Sequence, residues 1–178
     1  STMGRLTLSG LLQSFLETAK ATGMIFFILL GAEVFKGFLA LTRAPDQLAE
    51  WVVTQGFAPM MVLLAILLCY LVFGCVMESL SMILLTIPIF LPVIEVLDFG
   101  LSAEQTAIWF GILVVKMAEF CLITPPIGLN CFVVAGVRDD LSVQDVFRGV
   151  TPFFIADALT IAGLIAYPQI DLWLPSLA

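Results

Sequence analysis

The sequence predicts an all-α membrane protein organised around a helical hairpin and a discontinuous helix. Three observations predict it. First, 61% of the 178 residues are hydrophobic, mean hydropathy is +1.14 and only 12% of residues are charged, whereas soluble domains are about 45–50% apolar. Four or five runs approach the roughly 20 apolar residues that a spanning helix needs. None alternates as the strands of a membrane β-barrel would. Second, the stretch Phe73 to Pro92, FGCVMESLSMILLTIPIFLP, holds a polar knot between two apolar runs: Met77, Glu78 and Ser79, with Ser81 just beyond. A carboxylate inside so long an apolar region is expensive unless it has a partner or a task. Third, Thr124-Pro125-Pro126-Ile127-Gly128-Leu129-Asn130 interrupts another apolar run. The two breaks are expected to face each other and to form half of an ion and substrate site.

Charge and composition narrow the function classes. Seven basic and 14 acidic residues leave a net charge of −7, which argues against a nucleic-acid partner, because that needs a Lys/Arg surface. The chain has no histidine, so His-based zinc sites, Ser-His pairs and His proton relays are excluded within it. Cys69, Cys75, Cys121 and Cys131 lie in apolar runs without a CxxC pair, and read as small apolar helix residues rather than as a disulfide or metal site. The start, Ser1-Thr2-Met3-Gly4-Arg5, lacks an initiator methionine and is followed by no apolar signal core, which suggests a piece of a longer protein.

Taken in order, residues 6–22 are amphipathic, with Leu6, Leu8, Leu11, Leu12, Phe15 and Leu16 as a partial stripe, and read as an interfacial arm. Met24–Leu41 is the first span. Its Glu33 and Lys36, three apart, read as a mutually neutralising pair. Residues 42–58 are a connection punctuated by Pro45 and Gly56, with Trp51 suited to the membrane interface. Pro59–Val76 and Leu80–Val96 flank the knot, and so short a link makes them antiparallel. Either both span fully, with Glu78 solvated at the far surface, or they form a re-entrant hairpin with its tip in a cavity at mid-membrane. Irregular backbone at that depth is tolerated only within protein or beside water. Spacing alone leaves both arrangements open.

Asp98–Glu104 is an acidic loop, and Ala107–Ile123 is a span in which Lys116 and Glu119 read as a second neutralising pair. Pro125 and Pro126 then break the helix. Gly128 and Asn130 allow close approach and ligation, and Leu129–Val137 continues the path. Residues 107–137 thus read as one discontinuous helix. Free carbonyls end its first half and free N–H groups open its second, and these are the groups that bind cations and anions. An ordinary kink would need a single proline. Arg138 to Arg148 is a polar loop with helix-start chemistry at Ser142. Val150–Tyr167 is the last span, with Asp157 inside it, and Leu172–Ala178 is an interfacial tail. The chain divides into 1–57 (scaffold-like), 58–137 (hairpin and broken helix) and 138–178. Arg5, Lys20, Arg138 and Arg148 place the start and the polar loop on the cytoplasmic side and the 98–104 loop outside, with Arg43 a mild dissent.

A hairpin followed by a broken helix is the pattern of secondary transporters built from inverted repeats, which need two of each; this chain holds one set. The run Gly74-Cys75-Val76-Met77-Glu78, then Pro88 and Pro92, then Gly111, then Thr124-Pro125-Pro126-Ile127-Gly128-Leu129-Asn130 resembles the C-terminal half of the large membrane subunit of TRAP (tripartite ATP-independent periplasmic) transporters. The likeness is strongest from Ala58 to Val137. It implies one repeat of an inverted-repeat, elevator-type permease, not an enzyme, in a bacterial or archaeal inner membrane. Such a permease takes up C4-dicarboxylates, sialic acid or other organic acids by symport with sodium. The resemblance also implies partners: membrane lipid, the N-terminal half of the large subunit, a small membrane subunit and a periplasmic substrate-binding protein. It implies no cofactor beyond transported Na+ ions, and a chain that does not transport alone.

By position in the resemblance, Gly74, Met77, Glu78 and Ser79 on the hairpin and Thr124, Pro125 and Gly128 on the broken helix would hold the ions, largely through backbone carbonyls. Ser81, Pro126 and Asn130 would meet the substrate, with Asn130 also near the ions. The family carries aspartate where this chain has Glu78. A substrate carboxylate would be drawn to the start of the second half-helix. The arginine it would also want must come from the missing half, since none lies near either break. Three other readings compete. A single-component sodium/dicarboxylate or citrate carrier would need no binding protein. An intramembrane enzyme is disfavoured by the missing histidine and the lack of a Gly-x-Gly-Asp or Gly-x-Ser-Gly motif. A structural subunit without a site would use the kinks only for packing.

Overall fold

A computed structural model describes residues 7–125, 128–137, 140–173 and 175. The described residues form helices joined by short links: α1 Leu8–Thr42, α2 Ala44–Gln55, α3 Pro59–Gly74, α4 Ser79–Glu95, α5 Ala103–Ile123, α6 Leu129–Val137, α7 Val143–Ala166 and α8 Gln169–Leu172. α1, α5 and α7 are long and apolar enough to cross a membrane. α3 and α4 are apolar but have 16 and 17 residues, roughly 24 and 26 Å at 1.5 Å per residue.

Several boundaries differ from the sequence expectation, each for a local reason. The arm and the first span are one uninterrupted helix of 35 residues. A lone Gly23 costs a helix only about 1 kcal/mol and does not stop it. The expected connection at 42–58 is mostly helix α2. Pro45 opens it and Gly56, at φ 66°, closes it, so the punctuation marked helix ends rather than a loop. α5 begins at Ala103, four residues before the expected start, because Ser102 and Gln105 form a reciprocal capping box. Ser142 and Asp145 do the same for α7, so Val143 to Arg148 are helix rather than loop. α8 forms between the expected last span and the expected tail, sharing only Leu172 with the tail, and residues 174 and 176–178 lie outside the described residues, as do Leu6 and Arg138.

α5 is the hub. It packs on α3, α4, α6, α7 and α8, and half of its most apolar window is buried, against 11% for α1 and α7. The core is built from Leu63, Leu67 and Tyr70 of α3, Met82 and Ile94 of α4, and Trp109, Phe110, Leu113 and Val114 of α5. The polar groups of Tyr70, Thr86 and Trp109 inside it are paired. The Tyr70 and Thr86 hydroxyls share a 2.6 Å hydrogen bond between the arms of the hairpin, and the Thr86 hydroxyl also reaches the Met82 carbonyl at 2.7 Å. Trp109 Nε1 donates to the Leu164 carbonyl at 2.9 Å. Four residues beyond Leu164 stands Pro168, which has no N–H to supply the helical bond.

Trp109→Phe should therefore lower the unfolding midpoint in detergent. The ring contact to Phe99 at 5.3 Å is kept, but a buried carbonyl loses its donor, at a cost of about 1–3 kcal/mol. An unchanged midpoint would show that the carbonyl finds another donor.

The charged residues inside the helices sort into two kinds. Glu33 and Lys36 pair at 3.6 Å on α1, as expected. Lys116 does not pair with Glu119. It crosses to Asp157 on α7, while Glu119 stays exposed. The i,i+3 spacing made Glu119 the local choice, but Lys116 and Asp157 lie on the faces where α5 and α7 pack.

Candidate functional site

The hairpin turn is made by α3 tightening as it ends. The Cys75, Val76 and Met77 N–H groups donate to Val72 at 3.2 Å, Phe73 at 2.9 Å and Phe73 at 2.8 Å. Glu78 then takes an extended conformation and becomes the N-cap of α4. Its carboxylate accepts from the Leu80 N–H at 3.0 Å, the Ser81 N–H at 3.1 Å and the Ser81 hydroxyl at 3.0 Å. These satisfy N–H groups that the first turn of any helix leaves open. Glu78 is exposed, and Met77, Ser79 and Ser81 are half-buried.

The second break ends α5. The last four carbonyls of a helix have no donor further along it, and Pro125 and Pro126 remove the next two N–H groups. Thr124 meets two of the four: its N–H donates to Cys121 at 3.2 Å and its hydroxyl to Phe120 at 2.6 Å. Among the described residues no intrahelical donor meets the carbonyls of Leu122 and Ile123. Thr124 is buried and Pro125 exposed. Gly128 is buried at φ 44°, and its carbonyl accepts from Cys131 at 2.7 Å and Phe132 at 3.3 Å to start α6. A side chain there would sit 2.8 Å from the Phe147 ring, so α7 fills the space that glycine leaves. Pro126, expected to meet substrate, lies outside the described residues.

The two breaks are neighbours. Gly74, the last residue of α3, lies directly against Cys121, in the last turn of α5: a Cβ on Gly74 would stand 2.2 Å from the Cys121 Cβ. The Cys121 thiol also reaches the Tyr70 carbonyl at 3.4 Å. The end of α3, three residues before Met77, is thus seated on α5 three residues before Thr124. Among the described residues no hydrogen bond passes directly between the hairpin set (Met77, Glu78, Ser79, Ser81) and the second set (Thr124, Pro125, Gly128, Asn130). Asn130 is exposed on α6, which packs on α5 and α7. A cavity of about 880 Å³ lies elsewhere, between α2 and the far end of α4, beside Arg43, Asp46, Glu50 and Glu95.

The chemistry offered at the breaks is oxygen-rich and built from backbone. Among the described residues no three His, Cys, Asp or Glu side chains cluster as metal ligands. The donors available to a hard cation are helix-end carbonyls, the Thr124 and serine hydroxyls, and Glu78. The residues that sequence reasoning passed over are those holding the frame: Cys121 under Gly74, Phe147 under Gly128, and Asp157 opposite Lys116. Asp157 carried a signal, as an acid within one apolar run facing a lysine within another.

Residues 2–170 match the family described as tripartite ATP-independent periplasmic transporter, DctM component. The chain is 30% identical over 172 residues to the sialic acid TRAP transporter large permease protein SiaM of Vibrio cholerae, covering 97% of this chain and 39% of that protein. It is 32% identical over 161 residues to the C4-dicarboxylate TRAP transporter large permease protein DctM of Pseudomonas aeruginosa, covering 90% and 36%. A DctM permease of Rhodobacter capsulatus is 30% identical over 173 residues, covering 97% and 38%. The chain spans less than two fifths of the length of each of these relatives.

Proposed function

Since the chain belongs to the DctM component family of tripartite ATP-independent periplasmic transporters, we propose that it is the C-terminal half of the large permease of a sodium-driven organic-acid importer. The observation that carries this reading is the seating of Gly74 on Cys121. It puts the end of α3, which leads into the hairpin tip, against the last turn of α5, which leads into the break, and helix-end groups of that kind are suited to ions. Sodium is held by carbonyls at the end of α5 and at the tip, helped by Thr124, Ser79 and Glu78. The substrate carboxylate lies toward Ser81, Pro126 and Asn130, near the helix start after Gly128. The transported acid is a C4-dicarboxylate or a sialic-acid-like molecule, the two classes named for the relatives.

Helix length supports a re-entrant hairpin. At roughly 24 and 26 Å, α3 and α4 fall short of the hydrocarbon core of about 30 Å. Residues 58–137 form the transport-domain half, and α1 with α2 belongs to the scaffold. The site is completed by the first half of the large subunit, which supplies the second repeat and the substrate's arginine. A small membrane subunit and a periplasmic binding protein complete the assembly in the inner membrane, and an elevator-type displacement carries the site across.

The test is uptake of a radiolabelled organic acid into proteoliposomes holding the complete transporter, with and without a sodium gradient and with and without the binding protein. Uptake should need both. Uptake needing sodium alone would instead identify a single-component carrier, and no uptake under any condition would favour a structural subunit.

A further inference from the structure

α7 runs antiparallel along α5 in one register, which extends to the start of the second half-helix at Gly128. Trp109 meets Leu164, Lys116 meets Asp157, Phe120 stacks on Phe154 at 4.7 Å, and Gly128 meets Phe147. These contacts differ in what they specify. A slip of one helical turn would bring Val150 or Ala158 opposite Phe120, still apolar against apolar. The Trp109 bond pins the end of the seam furthest from the break. The ion pair sits about two turns, roughly 12 Å, before Thr124. Its side chains are only 28% and 20% exposed. A one-turn slip would part the charges by roughly 5.4 Å, leaving Asp157 unmet in an apolar seam and Lys116 only the exposed Glu119 on its own helix, and an unpaired charge in such a seam is strongly disfavoured. Setting a register is also the best-attested use of a polar pair set into an apolar interface.

We propose that Lys116 and Asp157 are positioning residues whose ion pair sets the register of α7 against the broken helix, and so places Phe147 beneath Gly128 at the break. The consequence for transport rests on the ion-site reading above, but the register does not.

The test uses the complete transporter with Cys69, Cys75, Cys121 and Cys131 replaced by alanine. Phe120→Cys with Phe154→Cys reports the observed register to a short bis-thiol reagent. Phe120→Cys with Ala158→Cys, or with Val150→Cys, reports a slip. With the ion pair intact the first combination should dominate. In Lys116→Met/Asp157→Leu, which leaves no charge unpaired and still inserts, the ratio should shift toward the slipped pairs by roughly tenfold or more. In the native background the same double variant should lose uptake roughly tenfold, and Lys116→Arg should retain it. An unchanged cross-linking ratio in the double variant would overturn the proposal and reduce the pair to charge balance. Were the intact transporter to show no organic-acid uptake, the transport reading would fail while the cross-linking ratio still decided the register.

Discussion

Gly74→Ala should all but abolish uptake by the complete transporter, by roughly a hundredfold, and should lower its unfolding midpoint in detergent. The new Cβ would stand 2.2 Å from the Cys121 Cβ and 2.7 Å from its sulfur. The first of these atoms is bonded directly to the α5 backbone, which itself lies 3.7 Å away, so no side-chain rotation relieves the overlap. Either the end of α3 lifts from α5, carrying the hairpin tip with it, or α5 shifts, and forced overpacking of this kind costs about 1–3 kcal/mol and occasionally more. Lifting the tip also draws the Tyr70 carbonyl away from the Cys121 thiol. The compensating change is specific. Cys121→Gly in the same protein removes both clashing atoms and should restore most of the uptake, less about 1 kcal/mol of stability for a glycine in a helix. Normal uptake by Gly74→Ala alone would mean that the tip is not seated on Cys121 during the transport cycle.

Gly128→Ala should give the second large loss, for two separable reasons. At φ 44° a residue with a Cβ is strained by about 1–2 kcal/mol. That Cβ would also press on the Phe147 ring at 2.8 and 2.9 Å. The ring packs in turn against Phe132, with centroids 6.2 Å apart, so it can yield only by shifting that contact. Together these should cost about 2–4 kcal/mol and displace the start of α6. Adding Phe147→Ala removes the ring and should recover only the steric share in an unfolding measurement. Full recovery would show that the backbone is unstrained at this position, and no recovery would show that Phe147 does not support the break.

These two glycines also show what the sequence made legible. The positions of both breaks could be read locally, because they follow from the chemistry of single residues: a carboxylate between apolar runs at Glu78, paired prolines at 125 and 126, and glycine where the backbone turns. The capping at Ser142 was legible for the same reason. The partners across space were not. Nothing near Gly74 in the sequence names Cys121, and nothing near Gly128 names Phe147. The spacing rule for helix neighbours selected Glu119 for Lys116, when the packing of α5 on α7 selects Asp157. α2 was missed because its amphipathic pattern is short and Pro45 and Gly56 are equally the marks of a loop. The joining of the arm to the first span was missed because a change from amphipathic to apolar residues is not itself a break in the hydrogen-bond ladder.

The central claim is that the hairpin tip and the end of α5 act as one ion-dependent site. Its most direct test is the sodium dependence of organic-acid uptake by the complete transporter carrying Thr124→Val or Glu78→Gln. Thr124→Val keeps the shape of a buried side chain and removes one oxygen, which now bonds to Phe120. Glu78→Gln keeps an acceptor at the tip and removes the charge. The account predicts that each raises the half-saturating sodium concentration by roughly tenfold, the equivalent of about 1.4 kcal/mol of ion binding. Uptake with an unaltered sodium dependence in both variants would contradict it.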